Sequence, residues 1–306
     1  MDYFDLHCDT AYECYFKNKD FLKNDLAVSA EKSGCFEKWS QVFAVWIRDD
    51  LEEPYKLYRE ILNGFKNKLS GAPDNLTPYF AVEGGAVIGR DSDRLYGLKE
   101  DGVIYLTLTW NGENRLAGGS KTDKGLTRFG REVIKKLNCL KMCCDLSHLN
   151  DKSFFAAADE AEYPIASHSN SRSVCGVPRN LTDEQLKLIG KRNGLIGLCF
   201  YNGFLGGNTY DKIYENIEHM LYMGLEDSIA VGSDFDGADT GEQLADISCV
   251  PRLYTALNEK GIEKNCLIKF FTKTRRIILT KCACYNKIKE KALLGRKEYE
   301  LCKHKG

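Results

Sequence analysis

Five histidines occur in this 306-residue chain, His7, His148, His168, His219 and His304, and the first three close apolar runs. His7 stands in DLHCDT with Asp9 two residues on. His148 ends CCDLSH, and His168 lies in PIASHSN. Imidazole is the commonest metal ligand, and alternate residues of a strand share a face, so His7 and Asp9 are expected to reach one cation together. Two carboxylates end apolar runs in the same way: Glu83 after YFAV and before two glycines, and Asp234 after IAVGS. Such a carboxylate is costly to bury unless a metal or a basic group meets it. A salt bridge or a helix cap is the competing role for each acid, and a core or capping role for any one histidine. Repetition of the pattern at three run ends favours a metal. Asp234-x-Asp236 begins like a calcium loop, but the further acidic, glycine and glutamate positions do not follow at the required offsets.

A catalytic zinc usually takes three protein ligands and keeps one position for water. His7, Asp9, Glu83, His148 and His168 make five, more than one zinc needs. They fit two metals bridged by Glu83, at a separation of about 3.5–4 Å and with a hydroxide held between them as nucleophile. Asp234 is then left to move the proton, as general base and later general acid.

These residues need elements that deliver them to one place. Eight short apolar runs bounded by turn residues read as strands, at 4–10, 39–47, 77–85, 103–110, 141–148, 164–170, 194–201 and 229–237. Most are apolar nearly throughout, as strands covered on both faces should be. Helical periodicity appears at 54–69, with Tyr55, Tyr58, Ile61, Leu62 and Phe65 on one side, and at 126–137 and 210–223. Thr182 and Gln185 form a capping-box pattern opening a helix through Lys191. A last helix or pair of helices is expected over 262–279. Alternating strands and helices imply a parallel sheet, and eight strands favour an α/β fold of the (β/α)8 TIM-barrel type, whose active sites lie at the C-terminal strand ends. No GxGxxG follows the first strand, which weakens a dinucleotide-binding reading. One catalytic barrel over 1–285 and a polar helix or tail over 286–306 are the expected units.

Composition narrows the partners. Apolar residues make up 43% and charged residues 28%, a soluble globular balance, and the net charge of −1 gives no reason to expect nucleic acid or an anionic membrane. The opening MDYFDLHCDT carries no basic region or apolar core, so a cytoplasmic protein is expected. There are 13 cysteines and no CxxC pair. Cys139, Cys143, Cys144 and Cys199 read as buried thiols of a reducing compartment, and Cys282 and Cys284 as surface thiols. His219, beside Met220 and Leu221, reads as structural, and His304 as solvated.

In order along the chain, DLHCDT, AVEGG, YLTLTWN, DLSH, ASHSNSRSV and GSDFDG resemble the membrane (renal) dipeptidase family of amidohydrolase-like metallopeptidases. The resemblance implies a binuclear zinc barrel that hydrolyses dipeptides. It assigns His7 and Asp9 to one metal, Glu83 to both, and His148 and His168 to the second. It makes Asp234 the acidic catalytic residue and gives Arg179, in VPRN, the substrate carboxylate, a role that suits its planar charged fork. Tyr201, in CFYN, becomes a pocket-wall candidate, and a homodimer is implied by the same analogy. The family's membrane attachment and disulfides are not expected here.

One position departs from the family. Its fourth strand typically reads LTH, with the histidine contacting substrate near the scissile bond, whereas this chain has LTLTWN with Trp110 in that place. Tryptophan offers a single N–H and accepts no proton. Trp110 is either a pocket wall that sets side-chain preference or the mark of a different substrate, another small amide, a lactam or an ester. Asn111, Asn114 and Arg115 are the nearby groups that could replace the histidine. A barrel that binds without catalysis is the remaining alternative.

Overall fold

The computed structural model describes residues 1–207 and 210–272. Eight parallel strands carry the fold: β1 (Asp2–Cys8), β2 (Lys38–Trp46), β3 (Leu76–Glu83), β4 (Val103–Thr107), β5 (Cys143–Asp145), β6 (Pro164–Ile165), β7 (Ile196–Leu198) and β8 (Ile229–Val231). Their order is β6-β5-β4-β3-β2-β1-β8-β7. A bridge between Ala166 and Ile196, just past β6, joins the two ends into a barrel. Its ladder runs from Ala166 N to Leu195 O at 2.8 Å and from Gly197 N to Ala166 O at 2.7 Å. The expected (β/α)8 barrel is the observed fold.

The helices are α1 (Thr10–Phe16), α2 (Pro54–Lys68), α3 (Arg94–Glu100), α4 (Arg128–Cys139), α5 (Asp151–Glu160), α6 (Asp183–Lys191), α7 (Asn202–Leu205), α8 (Tyr210–Tyr222), α9 (Val250–Glu259) and α10 (Lys264–Thr272). The Thr182–Gln185 capping box is present in both directions. α4 starts two residues later than its periodicity suggested, because Thr127 caps it by accepting from Gly130 N. No helix was expected at α1, α3, α5, α7 or α9. The end of the 262–279 helix, the boundary at 285, the tail, Cys282, Cys284 and His304 lie outside the described residues.

Two buried layers follow from strand alternation. Phe4, Leu6, Val42, Ala44, Tyr79, Ala81, Ile104, Tyr105, Cys143, Ile165, Leu195 and Ala230 fill the barrel. Their neighbours, such as Val45, Val82 and Leu106, face the helices. This is the packed interior of such barrels, not a pore. Among the described residues, no helix is long and apolar enough to cross a membrane. Ten cysteines are described and all are free; Cys143, Cys144 and Cys199 are buried as expected. Cys139 corrects that expectation: it is the last residue of α4 and is exposed.

Most strands are shorter than their apolar runs. β5, β6 and β8 each stop three residues before His148, His168 and Asp234. His148 and Asp234 have φ of +70° and +64°, a left-handed backbone that cannot continue a ladder. Those residues therefore stand on loops just above the strand ends, where a chain turning out of the sheet can aim its side chains at the axis.

Candidate metal centre and active site

Each candidate ligand reaches the barrel axis by its own local device. Glu83 continues the inward face of β3 set by Tyr79 and Ala81. Gly84, next to it, must be glycine: its φ is +109°, and a Cβ there would lie 2.2 Å from Ile47 O. His7 is turned inward by a register shift in β1, where Asp5 pairs with Gln41 but Cys8 with Phe43. Three residues of β1 thus oppose two of β2, and such a bulge redirects a side chain. Asp9 is not a strand residue. It sits at the start of α1 with φ −97° and ψ 13°, so the His-x-Asp pair converges through a strand-to-helix turn and not through strand alternation.

The structure brings these side chains together. His7 Nε2 lies 3.3 Å from Asp9 Oδ2, 3.5 Å from Glu83 Oε2 and 3.8 Å from Asp234 Oδ1. His148 Nε2 lies 2.7 Å from Glu83 Oε1 and 2.8 Å from His168 Nε2. His168 Nε2 lies 3.7 Å from Glu83 Oε1. Ligand atoms within 4.8 Å of one another group as His7, Asp9 and Glu83, as Glu83, His148 and His168, and as His7, His168 and Asp234. Glu83 belongs to both of the first two groups.

Behind the ligands, every imidazole Nδ1 is engaged. His7 Nδ1 meets Tyr105 Oη at 2.9 Å, and that hydroxyl in turn donates to Leu6 O at 3.0 Å. His168 Nδ1 meets Ser167 Oγ at 2.7 Å, and Ser167 donates to Asp145 Oδ2 at 2.7 Å. His148 Nδ1 meets Asn111 Oδ1 at 2.9 Å. The hydroxyls of Tyr105 and Ser167 already donate elsewhere, and an amide oxygen only accepts. All three Nδ1 atoms are therefore the donors, which leaves the three Nε2 atoms as the ones that face one another. His7 Nε2 and Asp9 Oδ1 are buried with no hydrogen-bond partner. Converging lone pairs and orphaned polar atoms in a buried site are what divalent cations satisfy, so this donor set fits a metal.

Burial and mutual charge perturb every one of these groups. Burial raises the Asp234 carboxyl to about 7 and the Asp9 carboxyl to about 6, in both cases against the pull of His7. Burial opposes ionisation of Glu83 too, but His148 and His7 hold it well below the carboxylate range. Burial lowers His148 to about 4, with Arg179 adding to the effect, and it lowers His168 well below its usual value. Burial also disfavours charge on His7, but Tyr105, Asp9 and Glu83 together raise it well above the ordinary histidine range. Cys199 Sγ donates to Asp234 Oδ2 at 3.4 Å.

A cavity of about 750 Å³ opens above these groups, lined by Asp9, Glu83, His148, His168 and Asp234 at its floor. Arg179, 5% exposed, reaches it from the loop after β6; Nη1 donates to Ser169 Oγ at 2.7 Å, Nη2 to His168 O at 3.0 Å, and Nε is left unpartnered. Tyr201 stands beside Phe204 at a ring separation of 4.7 Å. Trp110 lies three residues beyond β4, with its ring 5.1 Å from Trp46 and 6.4 Å from His148. Asn111 faces His148, whereas Asn114 bonds Asp49 and its own loop. His219 pairs with Asp183 at 2.8 Å, away from the site. Sequence reasoning missed Tyr105, Ser167, Asp145 and Trp46; the only signal was a polar or indole group at an inward or rim position of an apolar strand.

The model of the membrane dipeptidase family, peptidase family M19, matches residues 67–278. A Klebsiella pneumoniae protein described as an uncharacterized protein in the pqqA 5' region is 37% identical over 197 residues, 59% of this chain and 72% of its own. An uncharacterized dipeptidase of Schizosaccharomyces pombe is 31% identical over 208 residues, 64% of this chain, and the match spans 51% of that protein. Among solved structures, the dipeptidase AC, a metallopeptidase of family M19, superimposes with a TM-score of 0.80 at 24% identity, covering 92% of this chain and 98% of that one. A Rhodobacter sphaeroides metallopeptidase liganded with a phosphinate mimic of L-Ala-D-Ala gives 0.78 at 23% identity, covering 92% and 99%. At these identities the structural likeness establishes the barrel, and the family match, which covers more than two thirds of the chain, establishes the lineage. The chain belongs to the membrane dipeptidase family, peptidase family M19, and with it to the metal-dependent hydrolases of dipeptides.

Proposed function

We propose that this protein is a zinc dipeptidase with two ions per chain, one held by His7 and Asp9, the other by His148 and His168, and both by Glu83. The observation that carries this reading is the buried convergence of three imidazole Nε2 atoms on a shared carboxylate, with His7 Nε2 and Asp9 Oδ1 lacking any hydrogen-bond partner. Zinc, when bound, supplies the charge that acidifies a water and offsets the negative charge of the tetrahedral intermediate. Asp234, buried above the ligands and lining the cavity, takes the proton from the attacking water and returns it to the leaving amine. Arg179 anchors the substrate's C-terminal carboxylate from the loop after β6, where it lines the cavity. Trp110, Trp46 and Tyr201 line the same cavity and supply apolar surface for the substrate's side chains.

The test combines zinc analysis of purified protein with a panel of dipeptides, including those with a D-residue at the C-terminus. Bound zinc, hydrolysis of at least some dipeptides and loss of activity in His168→Ala are expected. Metal-free protein whose activity survives His168→Ala would sink the proposal. Trp110, which is 36% exposed at the cavity mouth and has no acid-base capacity, favours a second reading in which the bond cleaved is another small amide, a lactam or an ester. Zinc-replete protein inert toward every dipeptide but active on such a compound would select it.

A further inference from the structure

Asn111 directly follows the tryptophan that replaces the family's histidine, and it does not face substrate alone. Its side-chain oxygen lies 2.9 Å from His148 Nδ1 and accepts from Ser120 Oγ at 3.1 Å. The surrounding backbone forms a strap. Gly119 N donates to Gly112 O at 2.7 Å, Ser120 N to His148 O at 2.7 Å, and Lys121 N to Asn111 O at 3.0 Å. A bridge between Gly119 and Leu149 continues it. The segments lie so close that a Cβ on Gly119 would meet Trp110 O at 2.1 Å and Gly112 O at 2.5 Å. His148 itself holds a φ of +70°, which a non-glycine residue adopts only when its surroundings enforce it.

We propose that Asn111 is a positioning residue for the metal centre: fixed by Ser120 and by the strap over Gly119, its amide oxygen holds the Nδ1 proton of His148 and aims Nε2 at the metal shared with Glu83 and His168. The physical reason is that an imidazole can rotate about χ2 and carry its proton on either nitrogen. A fixed acceptor at Nδ1 selects both the ring orientation and the tautomer whose Nε2 lone pair is free. His7 and His168 receive the same service from Tyr105 and Ser167, within the barrel wall. His148 stands on a loop, so its acceptor comes from another loop. The loop that carries the departure at Trp110 thereby becomes part of the metal site.

This inference rests on reading His148 as a ligand, and the experiment separates the two. Metal-free protein is titrated with zinc against a chromophoric chelator, for the native chain and for Asn111→Leu, Asn111→Asp and Ser120→Ala. The native chain is expected to take up two zinc ions. Asn111→Leu should weaken one of them by about 10–100-fold and leave the other within a few-fold. Asn111→Asp, which keeps an acceptor at Nδ1, should restore most of the loss, and Ser120→Ala should weaken the same ion to a smaller degree. In nitrogen-15 spectra of the metal-free protein, a protected His148 Nδ1 proton should be present natively and absent in Asn111→Leu. Native protein that binds no zinc refutes the ligand reading itself. Two native-like affinities in Asn111→Leu refute only the positioning role. If Asn111→Leu does not fold, unchanged zinc affinity in Ser120→Ala together with an unprotected native Nδ1 proton refutes that role instead.

Discussion

Gly197 is where the barrel closes, and replacing it with alanine would strike the fold and the metal site together. It lies on β7 against the segment that follows β6. A Cβ there would sit 1.9 Å from Ser167 O and 3.0 Å from the Cα of Gly232, itself a glycine that packs on the same carbonyl. No side-chain rotation relieves a clash between a Cβ and a backbone carbonyl, so β6 and β7 must part by roughly 1 Å, at the cost of about 1–3 kcal/mol typical of overpacking. That corresponds to a fall in Tm of roughly 2–10 °C for a domain of this order of size. Ser167 Oγ holds His168 Nδ1, so the displaced carbonyl should also weaken zinc binding. Gly34 provides the contrast: its φ is −60° and a Cβ there would meet nothing within 4 Å. Gly34→Ala should be neutral or raise stability by about 0.4–1 kcal/mol through the unfolded chain. The assay is thermal unfolding of metal-free protein by circular dichroism, followed by zinc titration. A Gly197→Ala variant that melts and binds zinc as Gly34→Ala does would refute the closed β6–β7 contact and the route from it to His168.

Three further outcomes are expected. Trp110→Ala should reduce the preference in kcat/KM for dipeptides with a large apolar N-terminal residue over those with glycine there by about tenfold or more, because it removes an apolar wall of the cavity; an unchanged ratio argues against that wall. Arg179→Lys should raise KM about tenfold or more while kcat changes little, since an ammonium cannot reproduce the guanidinium fork; an equal fall in kcat would instead place Arg179 in the chemical step. In metal-free protein, the Asp234 carboxyl is raised by burial from the usual 3.8 to about 7, so the folded state binds more protons than the unfolded one between those values. Stability from this group is full below the unfolded pKa and is lost as pH rises through the folded one. Asp234→Asn should accordingly gain stability relative to the native chain from about pH 4 to pH 7, read as the difference between their urea midpoints; a pH-independent gap would contradict the burial.

The sequence alone determined the strand-rich, helix-alternating pattern of a barrel and the identities of the groups that converge at its floor. Apolar runs must be covered on both sides, and His7, Glu83, His148, His168 and Asp234 each interrupt or end one of them, where burial would be costly without a partner. α2 and α6 were equally legible, the first from its apolar stripe beginning at Pro54 and the second from its capping box, because both signals lie within a few residues of chain. What tertiary structure decided is of longer range. The bulge that turns His7 inward depends on how β1 is paired with β2, and the early ends of β5 and β8 depend on left-handed turns that apolarity does not encode. Tyr105, Ser167 and Asn111 lie 98, 1 and 37 residues from the histidines they hold, and only the pairing and curling of the sheet give two of those separations a length of 2.9 Å. Residue type fixes what a side chain can donate or accept; the fold alone fixes what it meets.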